Sequence, residues 1–272
     1  MDLDTLMAQL LETLQLIHHE SVATIWLNRP EVHNAFNATL VHELTTVTQH
    51  LQRDTTVRVI VLAGHGKNFC AGADLHWMQA AATASHADNL ADAQQLALLF
   101  KTLYSSSKPI IARLHGLALG GGTGLAAVAD IAIATDTAHF ALSEVRLGLI
   151  PATIGPYVAD AIGIRQARRY FLTAERFDAP TACSLGLVHE VVTADTLDQR
   201  IQALADELIK GGPHALASTK SLLRLLREGS PCNEATLSTT AHWIANVRAS
   251  DEAREGLAAF FAKRRPSWDQ EA

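Results

Sequence analysis

Apolar positions along the chain follow two patterns. Short runs rich in β-branched and aliphatic residues read as strands at 11–17 with 21–27, 57–64, 109–114, 131–134, 138–142 and 188–192. Elsewhere apolar residues recur at three and four: Leu40, Val41, Leu44, Val47 and Leu51 trace one face of a helix from Phe36 to about Gln52. Pro30 breaks the strand before it, and Asn34 is a fair N-cap for that helix. A helix is expected over 93–104, ended by the serines at 105–107 and by Pro109. Residues 79–89 are small, polar and weakly patterned, which predicts a surface loop or a mobile flap. From Ile154 the pattern turns helical, at 154–162, 165–173, 180–185, 197–209, 215–226, 236–247 and 251–261. The chain is therefore expected to be β/α up to 193 and all-helical over 194–272.

Two glycine-rich stretches interrupt these patterns. The second, His115-Gly116-Leu117-Ala118-Leu119-Gly120-Gly121-Gly122-Thr123-Gly124, joins a strand to a buried helix. Consecutive glycines there bring the backbone close to a ligand, with unpaired N–H groups facing it. Such donors suit an anion, resident or transient. A phosphate loop would end in Gly-Lys-Ser/Thr, and a dinucleotide fingerprint would carry a third glycine and an acidic residue about 20 positions on. Neither pattern is matched, which makes the phosphate readings weak and brings an oxyanion into consideration. The first stretch, 64–75, contains Phe69-Cys70-Ala71-Gly72-Ala73-Asp74-Leu75 and is of the same kind.

Composition narrows the classes. The 272 residues are 48% hydrophobic and 18% charged, enough for a substantial core. A net charge of −6 gives no reason to expect nucleic acid. Cys70, Cys183 and Cys232 form neither a metal pattern nor a disulfide framework, so a reducing cytoplasm is expected. The acidic start, Met1-Asp2-Leu3-Asp4, is unlike a targeting segment, and no apolar run approaches the ~20 residues of a membrane span. The histidines lack metal-ligand spacing, and no metal is expected.

Four stretches in order resemble the crotonase (enoyl-CoA hydratase/isomerase) superfamily: Leu27-Asn28-Arg29-Pro30 with Asn34-Ala35, the 69–75 stretch, Gly116–Gly122, and Ser143-Glu144-Val145. The ending from Glu255 to Pro266 is similar too, so the resemblance runs from about Leu11 to Trp268. It implies an α/β fold: a spiral of ββα turns with a helical C-terminal region that packs homotrimers, often paired into hexamers. It also implies a substrate that is an acyl-CoA thioester, with coenzyme A part of that substrate and no separate cofactor. The shared chemistry is stabilisation of a thioester enolate.

By match to the family motifs, the enolate oxygen would be held by the backbone N–H groups of Ala73 and Gly121. Hydratases of the family use two glutamates. One matches Glu144, whose apolar surroundings fit it for proton transfer near neutrality. The other falls on Gly124. Glu144 would then work either with a water ordered by other groups or alone, as in a Δ3,Δ2-enoyl-CoA isomerase. A third reading is a homologue that binds acyl-CoA without turning it over.

The segments at 143–152 and 172–179 look most like the bacterial branch with methylglutaconyl-CoA and carboxygeranoyl-CoA hydratases, which favours hydration. A distal carboxylate on the acyl group would want a cation. Arg146 lies on the face of Glu144 if that segment is extended, although a surface ion pair is the plainer role for it. The resemblance assigns coenzyme A contacts to Val32, His33, Ala71, Asp74, Leu75 and Gly120. Phe260 and Lys263 would come from a neighbouring subunit.

Overall fold

A computed structural model describes residues 11–228 and 233–269; Met1–Asp4 and Cys232 lie outside them. Its nine strands are β1 (Leu14–His19), β2 (Val22–Leu27), β3 (Val59–Gly64), β4 (Ile110–Leu114), β5 (Leu117–Leu119), β6 (Ile131–Thr135), β7 (His139–Ala141), β8 (Phe177–Asp178) and β9 (Glu190–Val192). Among the described residues there are ten α-helices. Six accompany the sheets: α1 (Ala38–Arg53), α2 (Leu75–Thr83), α3 (His86–Tyr104), α4 (Gly121–Val128), α5 (Gly155–Thr173) and α6 (Ala179–Leu185). Four close the chain: α7 (Leu197–Ile209), α8 (Pro213–Glu228), α9 (Glu234–Arg248) and α10 (Asp251–Phe261).

The main sheet runs β1-β2-β3-β4-β6-β9, with β1 antiparallel to β2 and the remaining neighbours parallel. Its side chains alternate between two cores, as strand periodicity requires. Ile25, Ile60, Leu62 and Ala112 face the large core with α1, α3, α4 and α5, while Val59, Val61, Ile111 and Ile133 meet Leu197, Ile201 and Ala205 of α7 on the other face. A second sheet, β5-β7-β8, is formed by strands that alternate along the chain with those of the first. Cys70 bridges to Ala118 and Phe36 bridges to Ala73, so the 69–73 stretch extends it by a row. Strand, short strand, helix: β3 leads to 69–73 and then α2, and β4 leads to β5 and then α4. This is the expected spiral of ββα turns, with a helical region after it. No helix among the described residues is long and apolar enough to cross a membrane.

Several local expectations change. Asn37, not Asn34, caps α1, accepting the Leu40 N–H at 2.8 Å. Residues 79–89 are not a loop: they form the end of α2, a break at Ala84-Ser85 and the start of α3. Alanine favours helix without an apolar stripe, and Ser85 caps α3 by accepting the Asp88 N–H while its hydroxyl donates to the Asp88 carboxylate. The two helices expected at 154–162 and 165–173 are one run kinked at Gly163, where φ is +76°. Residues 117–119, read as part of the glycine turn, form strand β5. The short strand β8 was not expected at all.

Candidate active site

The spiral brings the two glycine-rich stretches together. Gly120, the residue before α4, has φ +50° and ψ −114°, a conformation that glycine adopts without steric cost. A Cβ placed there would lie 3.9 Å from Gly72 Cα and 3.1 Å from Glu144 Oε1, so both loops and the carboxylate converge at this point. Gly121 then opens the helix, pressed so closely on the Phe36 ring that an added Cβ would come within 2.4 Å of Cε2. Neither the Ala73 N–H nor the Gly121 N–H donates to any group among the described residues. Both residues line one pocket of about 220 Å³. Two unspent backbone donors at one cavity, one of them at a helix N-terminus, suit a developing negative charge.

A dense polar frame holds these donors. Asn34 is fully buried with φ +56°, and its Nδ2 lies 2.9 Å from the His65 and Asn68 carbonyls and 3.1 Å from that of Phe69. Its Oδ1 accepts the Arg29 N–H. The Arg29 guanidinium donates to the Ala35 carbonyl at 2.7 Å and pairs with Asp74 at 2.9 Å. Burial pushes the Asp74 carboxyl up, but the His76 N–H and the Arg29 guanidinium outweigh it and leave the group below its ordinary value. Phe36 completes the frame, its N–H donating to the Gly72 carbonyl and its carbonyl accepting the Asp74 N–H. On the α4 side the buried Thr123 hydroxyl lies 2.7 Å from the Ala118 carbonyl and 3.0 Å from that of Ala141, tying the first turn to β5 and β7.

Glu144 lines the same pocket from a 3-10 turn, Glu144–Leu147. Its Oε2 is buried and has no hydrogen-bond partner among the described residues. Burial raises its pKa above the ordinary glutamate value, and no cation offsets this. Arg113 does not reach it; that guanidinium pairs with Asp198 at 2.5 Å. Because the segment is a 3-10 turn and not extended, Arg146 is carried away from the face of Glu144, is exposed, and does not line the pocket. The condition under which it would meet the far end of an acyl group is not met.

The rest of the lining is largely apolar. Trp77 and Met78 come from α2, Leu96 from α3, and Leu147, Leu149 and Ile150 from the segment after Glu144. Trp77 donates its indole N–H to Asp92, bracing α2 on α3. Sequence patterning gave the helix that carries Leu96 but missed α2 and the first turns of α3, which carry no clear apolar face. The Ser85-x-x-Asp88 capping signal was the available clue.

Gly124 is buried in α4, and its side-chain position is already filled. An added Cβ would stand 2.5 Å from Ile154 Cγ2 and 2.9 Å from Phe100 Cε1. Among the described residues, Glu144 is the only titratable side chain lining the pocket.

Residues 18–271 match the family described as enoyl-CoA hydratase/isomerase. The chain belongs to this family. It is 33% identical over 251 residues to the 2,3-dehydroadipyl-CoA hydratase of Escherichia coli K12, covering 92% of this chain and 95% of that one. Over 261 residues it is 34% identical to the carnitinyl-CoA dehydratase of Proteus mirabilis, covering 94% and 98%. The crystal structure of an enoyl-CoA hydratase from Shewanella pealeana superposes with a TM-score of 0.96 at 43% identity, covering 98% of this chain and all of that one.

The remaining positions assigned by the family resemblance fall in two places. Ala71 and Gly120 line the pocket. His33 lies against the same loop: its carbonyl accepts the Ala71 N–H at 3.0 Å, and its Nδ1 is 3.1 Å from Asn68 Nδ2. Val32 ends the 3-10 turn before it, and Leu75 is 72% exposed at the start of α2. Asp74 is spent on Arg29 and on capping α2. Phe260 and Lys263 lie at the exposed end of α10 and do not line this chain's pocket. The Cys70 thiol is fully buried, which pushes its pKa up to about 12 and suits a packing role.

Proposed function

We propose that this family member is an enoyl-CoA hydratase with one carboxylate. It adds water across the α,β double bond of an acyl-CoA thioester, or removes it in reverse. The carrying observation is a partly buried glutamate, one oxygen without a partner among the described residues, that shares a largely apolar pocket with two unspent backbone N–H donors. In this reading the Ala73 and Gly121 N–H groups hold the thioester oxygen. As water bonds to Cβ and gives a proton to Glu144, the double-bond electron pair moves through the thioester onto that oxygen. Glu144 then returns the proton to Cα as the enolate collapses. Two preorganised donors contribute on the order of several kcal/mol to such a transition state. The resemblance between this chain and relatives named as hydratases and dehydratases points the same way.

The acyl group is proposed to end in apolar atoms. A methylglutaconyl-CoA-like substrate would place a second carboxylate in the cavity, and this chain offers no cation in the lining to receive it. The coenzyme A portion is assigned to Val32, His33, Ala71, Leu75 and Gly120. Phe260 and Lys263 of a neighbouring copy in a homotrimer or hexamer would complete the contacts. Asp74 acts in this reading by fixing the loop, not by touching the nucleotide. The division at residue 194, into a spiral core and an oligomerisation region, belongs to the same proposal.

Allylic isomerisation is the second reading, and the filled position beside Gly124 favours it. A Δ3,Δ2-enoyl-CoA isomerase needs one base that takes a proton from one carbon and returns it to another. Glu144→Gln is expected to keep acyl-CoA binding and lose about 10²–10⁴-fold in turnover. Supplying 2-enoyl and 3-enoyl thioesters separately distinguishes the reactions: hydrated product from the former supports the first reading, and a shifted double bond from the latter alone overturns it. Tight binding with no turnover of either would leave only the acyl-CoA-binding homologue.

A further inference from the structure

Hydration by one carboxylate leaves its water needing a second polar contact. A water that donates one O–H to Glu144 and attacks with one lone pair still has a free O–H and a free lone pair. Unless these are engaged, the attacking lone pair is not aimed at Cβ. The side-chain position at Gly124 cannot help, because Ile154 and Phe100 occupy the space beyond it.

Two hydroxyls line the pocket, Ser143 and Thr153. Neither side chain makes a hydrogen bond among the described residues. Ser143 sits on the carboxylate's own turn, immediately before Glu144. Thr153 immediately precedes Ile154, the residue that covers the Gly124 position at 2.5 Å. Thr153 is half-buried, and both it and Ile154 line the pocket.

We infer that Thr153 is a catalytic residue that positions the attacking water, its hydroxyl taking the place of the missing second carboxylate on the Ile154 wall. This rests on the hydratase reading of Glu144. A threonine hydroxyl accepts the water's second O–H or donates to its second lone pair, and either fixes the direction of attack. It does not take up the water's proton at neutral pH, so Glu144 both receives the proton and returns it to Cα. Bonds balance as before: O–Cβ and H–Cα form, the water O–H breaks, and the Cα=Cβ pair becomes the new C–H bond.

The test separates water attack from Cα proton transfer. Wild type, Thr153→Val, Thr153→Ser and Ser143→Ala are assayed for hydration over a panel of trans-2-enoyl-CoA thioesters of increasing chain length. The same proteins are assayed for exchange of the Cα proton of the matching saturated acyl-CoA in deuterium oxide. Thr153→Val is expected to lower hydration kcat about 10- to 100-fold with KM little changed. Exchange should remain within twofold of wild type by direct comparison, and Thr153→Ser should recover most of the hydration. Unchanged hydration in Thr153→Val, an equal loss of exchange, or a loss confined to Ser143→Ala overturns the inference. Exchange without hydration by wild type across the panel overturns the hydratase reading itself, and this inference with it.

Discussion

The two walls of the pocket are built on opposite principles. On the donor wall almost every polar group is engaged: Asn34 serves three carbonyls, Arg29 is locked to Asp74 and Ala35, and Thr123 ties α4 to two strands. The Ala73 and Gly121 N–H groups, at residues that line the cavity, have no acceptor among the described residues. The carboxylate wall makes few bonds: among the described residues Glu144 Oε2 has no partner, the Thr153 and Ser143 hydroxyls make no hydrogen bond, and aliphatic side chains line the same pocket. Fixed dipoles lower a barrier only when they need not reorganise, so their supports are dense. A proton carrier must change charge, and a permanent partner would hold it in one state. The contrast assigns rigidity to one wall and titration to the other.

Three measurements can break that contrast. Gly121→Ala drives a methyl against the Phe36 ring, where a Cβ would lie 2.4 Å from Cε2. One of the two donors should be displaced, with a loss of about 10²–10³-fold in kcat by steady-state kinetics. Turnover near wild type would mean that this N–H does not hold the enolate.

Asn34→Ala removes the donor shared by three buried carbonyls. It should cost about 2–3 kcal/mol in urea unfolding, with a smaller loss of turnover as the Ala73 loop loosens. If stability falls and turnover is unaffected, the frame supports the fold but not the donor.

The smallest effect tests the other wall. Burial raises the Glu144 pKa in the folded state above its unfolded value, so ionising it opposes folding. Glu144→Gln should therefore melt higher than wild type at neutral pH. The difference should shrink as pH falls through the raised value and vanish below the ordinary glutamate pKa of 4.5. In wild type the acid limb of kcat/KM for hydration should lie above that same value. A Glu144→Gln variant that melts lower than wild type throughout would show that the carboxylate is a structural partner after all.

Much of this architecture was legible in the chain. The buried strand at 57–64 follows from a continuous apolar run, and the helix through Leu40 and Leu51, with α7 and α10 at their observed limits, from periodicity, because one face of each helix is apolar. The two glycine-rich stretches announced backbone donors before any geometry was available. What periodicity could not find were elements that do not depend on it. The stretch from α2 to the first turns of α3, before the helix expected from residue 93, is alanine-rich and largely exposed, so helix propensity and the Ser85 cap carry it without a stripe. Asn34 was misread as a cap because Asn37, three residues on, offers the same chemistry, and only packing decides which one is buried.

By itself, the sequence determined the family, most of the longer strands and helices, and the departure at Gly124. These depend on residue type and spacing along one chain. The tertiary structure alone decided that Ile154 and Phe100 fill the space beside Gly124, that Glu144 keeps an unpartnered oxygen, that Arg146 turns away, and that a free Thr153 hydroxyl lies on the wall. Each is a relation between side chains set by how separate elements pack, and close packing is a property of the whole interior that no local pattern encodes.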